Sequence, residues 1–186
     1  MPYLPLSLAP ARTAAATLVN RLDLNPPVKV HDLVSNYAEL EQVNWPGDNV
    51  DAVMLRRGTE KPMVFYKSHD PRGLRERFTL GHELGHLILP WQIGNATCVV
   101  SDDVQDSVSS DEAEANMFAS CLLAPDRWLR SILDESGTDM SSVLLAVAEA
   151  EISSTATLLA LRRVLTAGWA FQLNHQNRPF LSVGTK

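Results

Sequence analysis

Cysteine is nearly absent from this chain: Cys98 and Cys121 are the only two in 186 residues, with no C-x-x-C spacing. That excludes a disulfide framework and a structural cysteine-type zinc site. Both thiols are expected to be free and packed. Long apolar runs are missing too, and none approaches the roughly 18 residues of a membrane-spanning helix. The first eleven residues hold three prolines and no basic side chain before Arg12. A secretory leader would show a charged start and an apolar core there. These absences point to a cytoplasmic protein with no membrane partner. Positive charge is also in deficit, since 16 Lys and Arg against 22 Asp and Glu leave a net charge of -6. Such a surface does not favour direct nucleic-acid binding. No repeat or linker divides the sequence, and its length suits one domain spanning residues 1–186. What is present is 45% hydrophobic and 20% charged, the balance of a folded globular chain.

The most informative stretch is Gly81-His82-Glu83-Leu84-Gly85-His86. On a helix, His82 and His86 are four residues apart and share a face, close enough to bind one metal ion. Glu83 follows the first histidine and is suited to act as general base on water. This is the H-E-x-x-H arrangement of zinc peptidases. Phe78, Leu80, Leu84 and Leu87-Ile88 recur at helical spacing around it. Pro90 predicts an end near Leu89, because the residue before proline is pushed out of the helical region.

Elsewhere, residues 9–22 read as a helix with Ala14, Leu18 and Leu22 along one face, and a short helix starts near Val30. Pro46-Gly47-Asp48-Asn49 signals a turn. Val50 to Arg56 and Pro62 to Lys67 read as adjacent strands joined by Arg57-Gly58-Thr59-Glu60. His69 to Gly73 is a polar loop leading into the motif. Residues 92–110 show no helical period and read as a solvated loop. A strong helix is expected from about Asp111 to Leu123, and another after Pro125 with Trp128, Leu129 and Ile132 on one face. Residues 141–165 give two helices divided near Ile152-Ser153-Ser154, and the tail from Ala170 holds one or two strands.

A catalytic zinc takes three protein ligands and leaves a fourth position open. A third histidine soon after the motif is excluded, because position 89 is Leu and position 92 is Gln. The alternative is a carboxylate on the next helix, where Glu112 and Asn116 share a face four residues apart. Glu112 would then be the ligand, and Asn116 would orient an imidazole through its outer nitrogen. Glu114 lies about 200° around that helix from Glu112, so only one of the two can face the metal. Ser109-x-x-Glu112 also reads as a capping box, in which Glu112 would fold back on its own helix. Glu114 is the fallback ligand.

With both segments in hand, the chain resembles the ImmA/IrrE family of metallopeptidases. The resemblance rests on Arg77 to His86 and on Glu112-Ala113-Glu114-Ala115-Asn116-Met117-Phe118-Ala119. Leu122-Leu123-Ala124-Pro125 is similar to the family's Leu-Leu-Met-Pro, with Ala124 in place of Met. Pro27-Val28-Lys29-Val30-His31-Asp32-Leu33 and the stretch from Leu145 to Arg162 also match. Together they make a family-like core of about 26–165, with a tail over 166–186. The resemblance implies a zincin-like α+β fold, mostly helical, with a small sheet over the H-E-x-x-H helix. It implies Zn2+ held by His82, His86 and Glu112, with Glu83 as catalytic base. It further implies an intracellular protease whose substrate is a helix-turn-helix regulator or an antitoxin, in stress response or toxin-antitoxin settings.

The expected reaction is metal-assisted peptide hydrolysis. Tyr66, His69 and His175 are candidates for a second electrophile, and none is singled out by its surroundings. Manganese is an alternative occupant of a His-His-Glu site. A competing hypothesis is a regulatory module that docks on a transcription factor or on DNA, with a structural or vestigial zinc site. Its support is a helix-turn-helix look at Ile152-Ser153-Ser154-Thr155, although Arg162 and Arg163 are the only bases there. A third reading is a stress-response partner that binds its regulator without cutting it.

Overall fold

The computed structural model describes residues 7–46, 50–68, 73–92, 96–98, 109–136, 139–166, 168, 170–175 and 178–184. Helix α1 (Ala9–Arg21) opens the chain, and the short α2 (Val30–Ser35) follows. Strands β1 (Glu39–Gln42), β2 (Ala52–Leu55) and β3 (Met63–Tyr66) come next, then the motif helix α3 (Leu74–Ile88). Strand β4 (Ala96–Cys98) precedes α4 (Ser110–Leu123), α5 (Asp126–Ser136), α6 (Met140–Glu149) and α7 (Ser154–Val164). The hairpin of β5 (Ala170–His175) and β6 (Arg178–Gly184) closes the described chain. The architecture is α+β and mostly helical, as the sequence implied.

The hairpin expected between Val50 and Lys67 forms: β2 and β3 run antiparallel, with Ala52 opposite Tyr66 and Leu55 opposite Met63. Side chains alternate across a strand, and Ala52, Met54, Val64 and Tyr66 are the buried set. They join Leu80 and Leu84 of α3 in one apolar cluster that also takes in α1. The sheet order is β1-β3-β2-β4, with β1 parallel to β3.

Two strands were not foreseen. Strand β1 reads Glu-Leu-Glu-Gln and is mostly exposed, so it lacks the apolar alternation by which a strand is recognised. Strand β4 lies inside the stretch read as a solvated loop, where Ala96, Thr97 and Cys98 pair with Met54, Val53 and Ala52. That part of the loop reading is corrected, because an edge strand draws its order from a partner's backbone rather than from its own pattern. The turn at 47–49, the loop at 69–72 and residues 99–108 lie outside the described residues.

The four helices from α4 onward follow their sequence signals. A side-chain oxygen caps α4, α6 and α7 in turn, from Ser109, Asp139 and Ser153. A second apolar cluster, with Leu129, Ile132, Val143, Val147, Leu158 and Leu161, packs α5 to α7 together. Cys121 is a buried free thiol, as expected, and the side chain of Cys98 lies outside the described set. Among the described residues, no single helix is long and apolar enough to cross a membrane.

Candidate metal centre

The site is built where α3 and α4 approach. Every residue from Thr79 to His86 is buried, so the motif runs through the core rather than over the surface. The two glycines of the motif make close approach possible. A methyl group added at Gly85 would meet the Ala115 Cα at 3.1 Å and the Phe118 Cβ at 3.2 Å. At Gly81 the nearest atom would be the Ala119 Cβ, at 3.4 Å. Small residues thus face small residues at one-turn spacing, and the two backbones sit close together.

That approach brings three donors to one point. The Nε2 atoms of His82 and His86 are 3.0 Å apart. One carboxylate oxygen of Glu112 lies 3.1 Å from His82 Nε2, and the other lies 3.4 Å from His86 Nε2. Three ligands at about 2.1 Å from a tetrahedral ion stand roughly 3.4 Å from one another. The observed separations lie at or just under that value, so the His82-His86-Glu112 set could hold a metal ion. Two imidazoles and one carboxylate also leave a fourth position open.

The electrostatics favour positive charge at that point. Burial by itself would lift the Glu112 carboxyl, but hydrogen bonds with His82 and His86, and their charge, hold it down to about 2. Burial likewise disfavours a charged His86. It is outweighed by the hydrogen bond to Glu112, the charges of Glu83 and Glu112 and the bond to Gln92, so His86 is raised. A proton and a metal ion compete for the same lone pairs.

The sequence profile of the IrrE N-terminal-like domain, a peptidase family, matches residues 31–161. The chain belongs to this family. Among curated proteins, none matches it significantly. Membership supports a peptidase, and in this IrrE-like domain the matched span contains the whole donor cluster.

The outer nitrogens of both imidazoles are engaged. His82 Nδ1 is 2.9 Å from the Asn116 Oδ1. An amide oxygen can only accept, so Nδ1 carries a hydrogen, and on the neutral ring Nε2 keeps its lone pair. Asn116 therefore does what its spacing from Glu112 suggested. His86 Nδ1 lies 2.6 Å from the Gln92 Oε1, a partner that sequence reasoning missed. Nothing local to position 92 signals this contact, because its two partners lie on α3 and α4.

The remaining candidates separate cleanly. Ser109 Oγ accepts from the Glu112 backbone N–H at 3.3 Å, so the cap exists, while the Glu112 side chain reaches the histidines instead of closing a box. Glu114 is not in the donor cluster; it accepts from Trp91 Nε1 and Gln92 Nε2. Glu83 is fully buried, one residue beyond His82. Tyr66 is buried, with its hydroxyl 3.3 Å from His31 Nε2. Residue His69 and the side chain of His175 lie outside the described set.

Proposed function

We propose that this IrrE-like domain is a zinc-dependent endopeptidase. Zn2+ is held by His82, His86 and Glu112, and Glu83 is the general base. The observation that carries the reading is the convergence of two imidazole Nε2 atoms and a carboxylate within 3.4 Å of one another. When bound, the cation supplies Lewis acidity, acidifying water and polarising a peptide carbonyl. Glu83 takes a proton from the attacking water as the new C–O bond forms, and returns one to the departing amine as the C–N bond breaks. Asn116 keeps the His82 imidazole turned inward.

The substrate we propose is a protein regulator of helix-turn-helix or antitoxin type, met in the cytoplasm. This follows the family resemblance, and the deficit of basic side chains agrees with a protein rather than a nucleic-acid partner. The competing module that reads DNA through α6 and α7 loses support from one side chain. Arg163 is turned inward, bonding the Ser120 Oγ at 2.5 Å and the Ala124 carbonyl at 2.7 Å. Arg162 is then the one exposed base that α7 offers, where groove-reading helices bring several.

Metal content decides the matter first. Purified wild-type protein is expected to carry about one zinc per chain, lost in His82→Ala and Glu112→Ala and kept in Glu114→Ala. Glu83→Gln should retain zinc and lose at least about 100-fold in cleavage rate, the usual scale of general-base catalysis. Cleavage at the wild-type rate by Glu83→Gln would remove its assignment as base. The same variant, metal-loaded but inert, can capture the regulator for identification.

A further inference from the structure

The turn after α3 is built around Gln92, which is 5% exposed and held at both ends. Its amide nitrogen donates to Glu114 Oε2 at 3.0 Å and to the Asp111 carbonyl at 3.1 Å. The indole of Trp91 can only donate, and it reaches the same Glu114 oxygen at 2.5 Å. The backbone is tied as well, because one guanidinium, that of Arg56, donates to both the His86 and Gln92 carbonyls.

These contacts leave the amide a single orientation. Flipped over, its oxygen would face a carboxylate oxygen and a carbonyl oxygen, two acceptor–acceptor contacts in a buried place. Unflipped, that oxygen faces His86 Nδ1 at 2.6 Å and can only accept from it. On a neutral His86 ring the hydrogen then sits on Nδ1, and a bare Nε2 is turned toward Glu112 and His82. The support of His82 is different, because Asn116 is exposed while Gln92 and Glu114 are buried.

We propose that Gln92 is the positioning residue of His86, and that Glu114 acts through it by fixing which way its amide points. The inference rests on the metal-centre reading above and adds a role for Glu114 other than ligand. One helix, α4, thereby serves both imidazoles: it contributes Glu112 and Asn116 directly, and Glu114 and the Asp111 carbonyl through Gln92.

The test is zinc affinity of the full chain, measured by competition with a chromophoric chelator, beside the thermal midpoint of each chelator-stripped protein. Gln92→Ala is expected to weaken zinc binding about 10–100-fold, the usual cost of losing an outer partner of a ligand. Gln92→Glu sets a carboxylate against Glu114 and should weaken binding as well. Combining Gln92→Glu with Glu114→Gln restores a donor between the two positions, keeps the acceptor for His86 and leaves only the Asp111 carbonyl without its donor, so part of the affinity should be recovered. A residue that merely filled the turn would shift the thermal midpoint and leave zinc affinity alone. Wild-type affinity in Gln92→Ala, with zinc still lost in Glu112→Ala, overturns this inference and spares the metal centre. Absence of zinc from the wild type even after supply overturns both. Where Gln92→Ala does not fold, the paired substitution decides: no recovery over Gln92→Glu alone overturns the proposal.

Discussion

Asn116 stands one helical turn beyond Glu112 and holds the outer nitrogen of His82 at 2.9 Å. Being exposed, it shares that nitrogen with water more readily than a buried partner would. Asn116→Ala should therefore weaken zinc binding by about tenfold, the low end for such partners, and chelator competition reads it directly. At this scale the chain was readable where the rule is local. The His82–His86 pair, Glu83 between them and Asn116 after Glu112 all follow from the helical repeat. Gln92 was not readable, because its meaning depends on Glu114 and His86 arriving from two different helices.

The contact between α3 and α4 turns on two glycines with different surroundings. At Gly85 the obstructing atoms are backbone and Cβ of α4, at 3.1 to 3.3 Å, and cannot swing aside. Gly85→Ala gains about 1 kcal/mol of helix propensity against an overpacking cost of about 1–3 kcal/mol. We expect a net loss of about 1 kcal/mol, by denaturant unfolding, together with weaker metal retention as Glu112 moves off. Gly81→Ala meets only ordinary contacts, the nearest at 3.4 Å, and should instead stabilise by up to about 1 kcal/mol. A pH dependence is expected at a second element. Asp139 caps α6, and the hydroxyl of Ser142 and the backbone N–H of Ser141 hold its carboxyl below the ordinary 3.8. Its folded value is depressed, so its contribution is present above that ordinary value and is lost as pH falls through the folded one. Thermal midpoints of wild type and Asp139→Asn should differ near neutrality and converge in acid. A constant gap across that range would contradict the capping role.

Across the whole molecule, two apolar clusters meet at the end of α4, and Arg163 is the tie between them. Its guanidinium bonds Asp126 at 3.1 Å, Ser120 through both side chain and carbonyl, and the Ala124 carbonyl. Those carbonyls lie at the C-terminal end of α4, where a cation is favoured; the Ser120 carbonyl also accepts from the Ala124 N–H at 3.1 Å, and Ala124 is the C-cap. Arg12 bonds the same Asp126 from α1, so α1, α4, α5 and α7 share one polar knot. Arg163→Met should cost about 1–3 kcal/mol, since it removes the Arg163 bond to the buried Ala124 carbonyl, and chemical denaturation measures it. An unchanged midpoint would show that water replaces the guanidinium without loss.

By itself the sequence determined the motif helix, its histidine pair with Glu83 beside it, and the order of the helices after Pro125. Each of these is set by spacing within one segment. It left open whether Glu112 would fold back on its own helix, face the histidines or yield that place to Glu114, because a helix pattern says which residues share a face and not what that face meets. The tertiary structure decided that question. Glycines at 81 and 85 lie against Ala119 and Ala115, which fixes the rotation of α4 and turns Glu112 toward the histidines and Glu114 toward Gln92. Strands β1 and β4 were likewise decided from outside their own residues, by hydrogen bonds to β3 and β2, a source of order that no local pattern records.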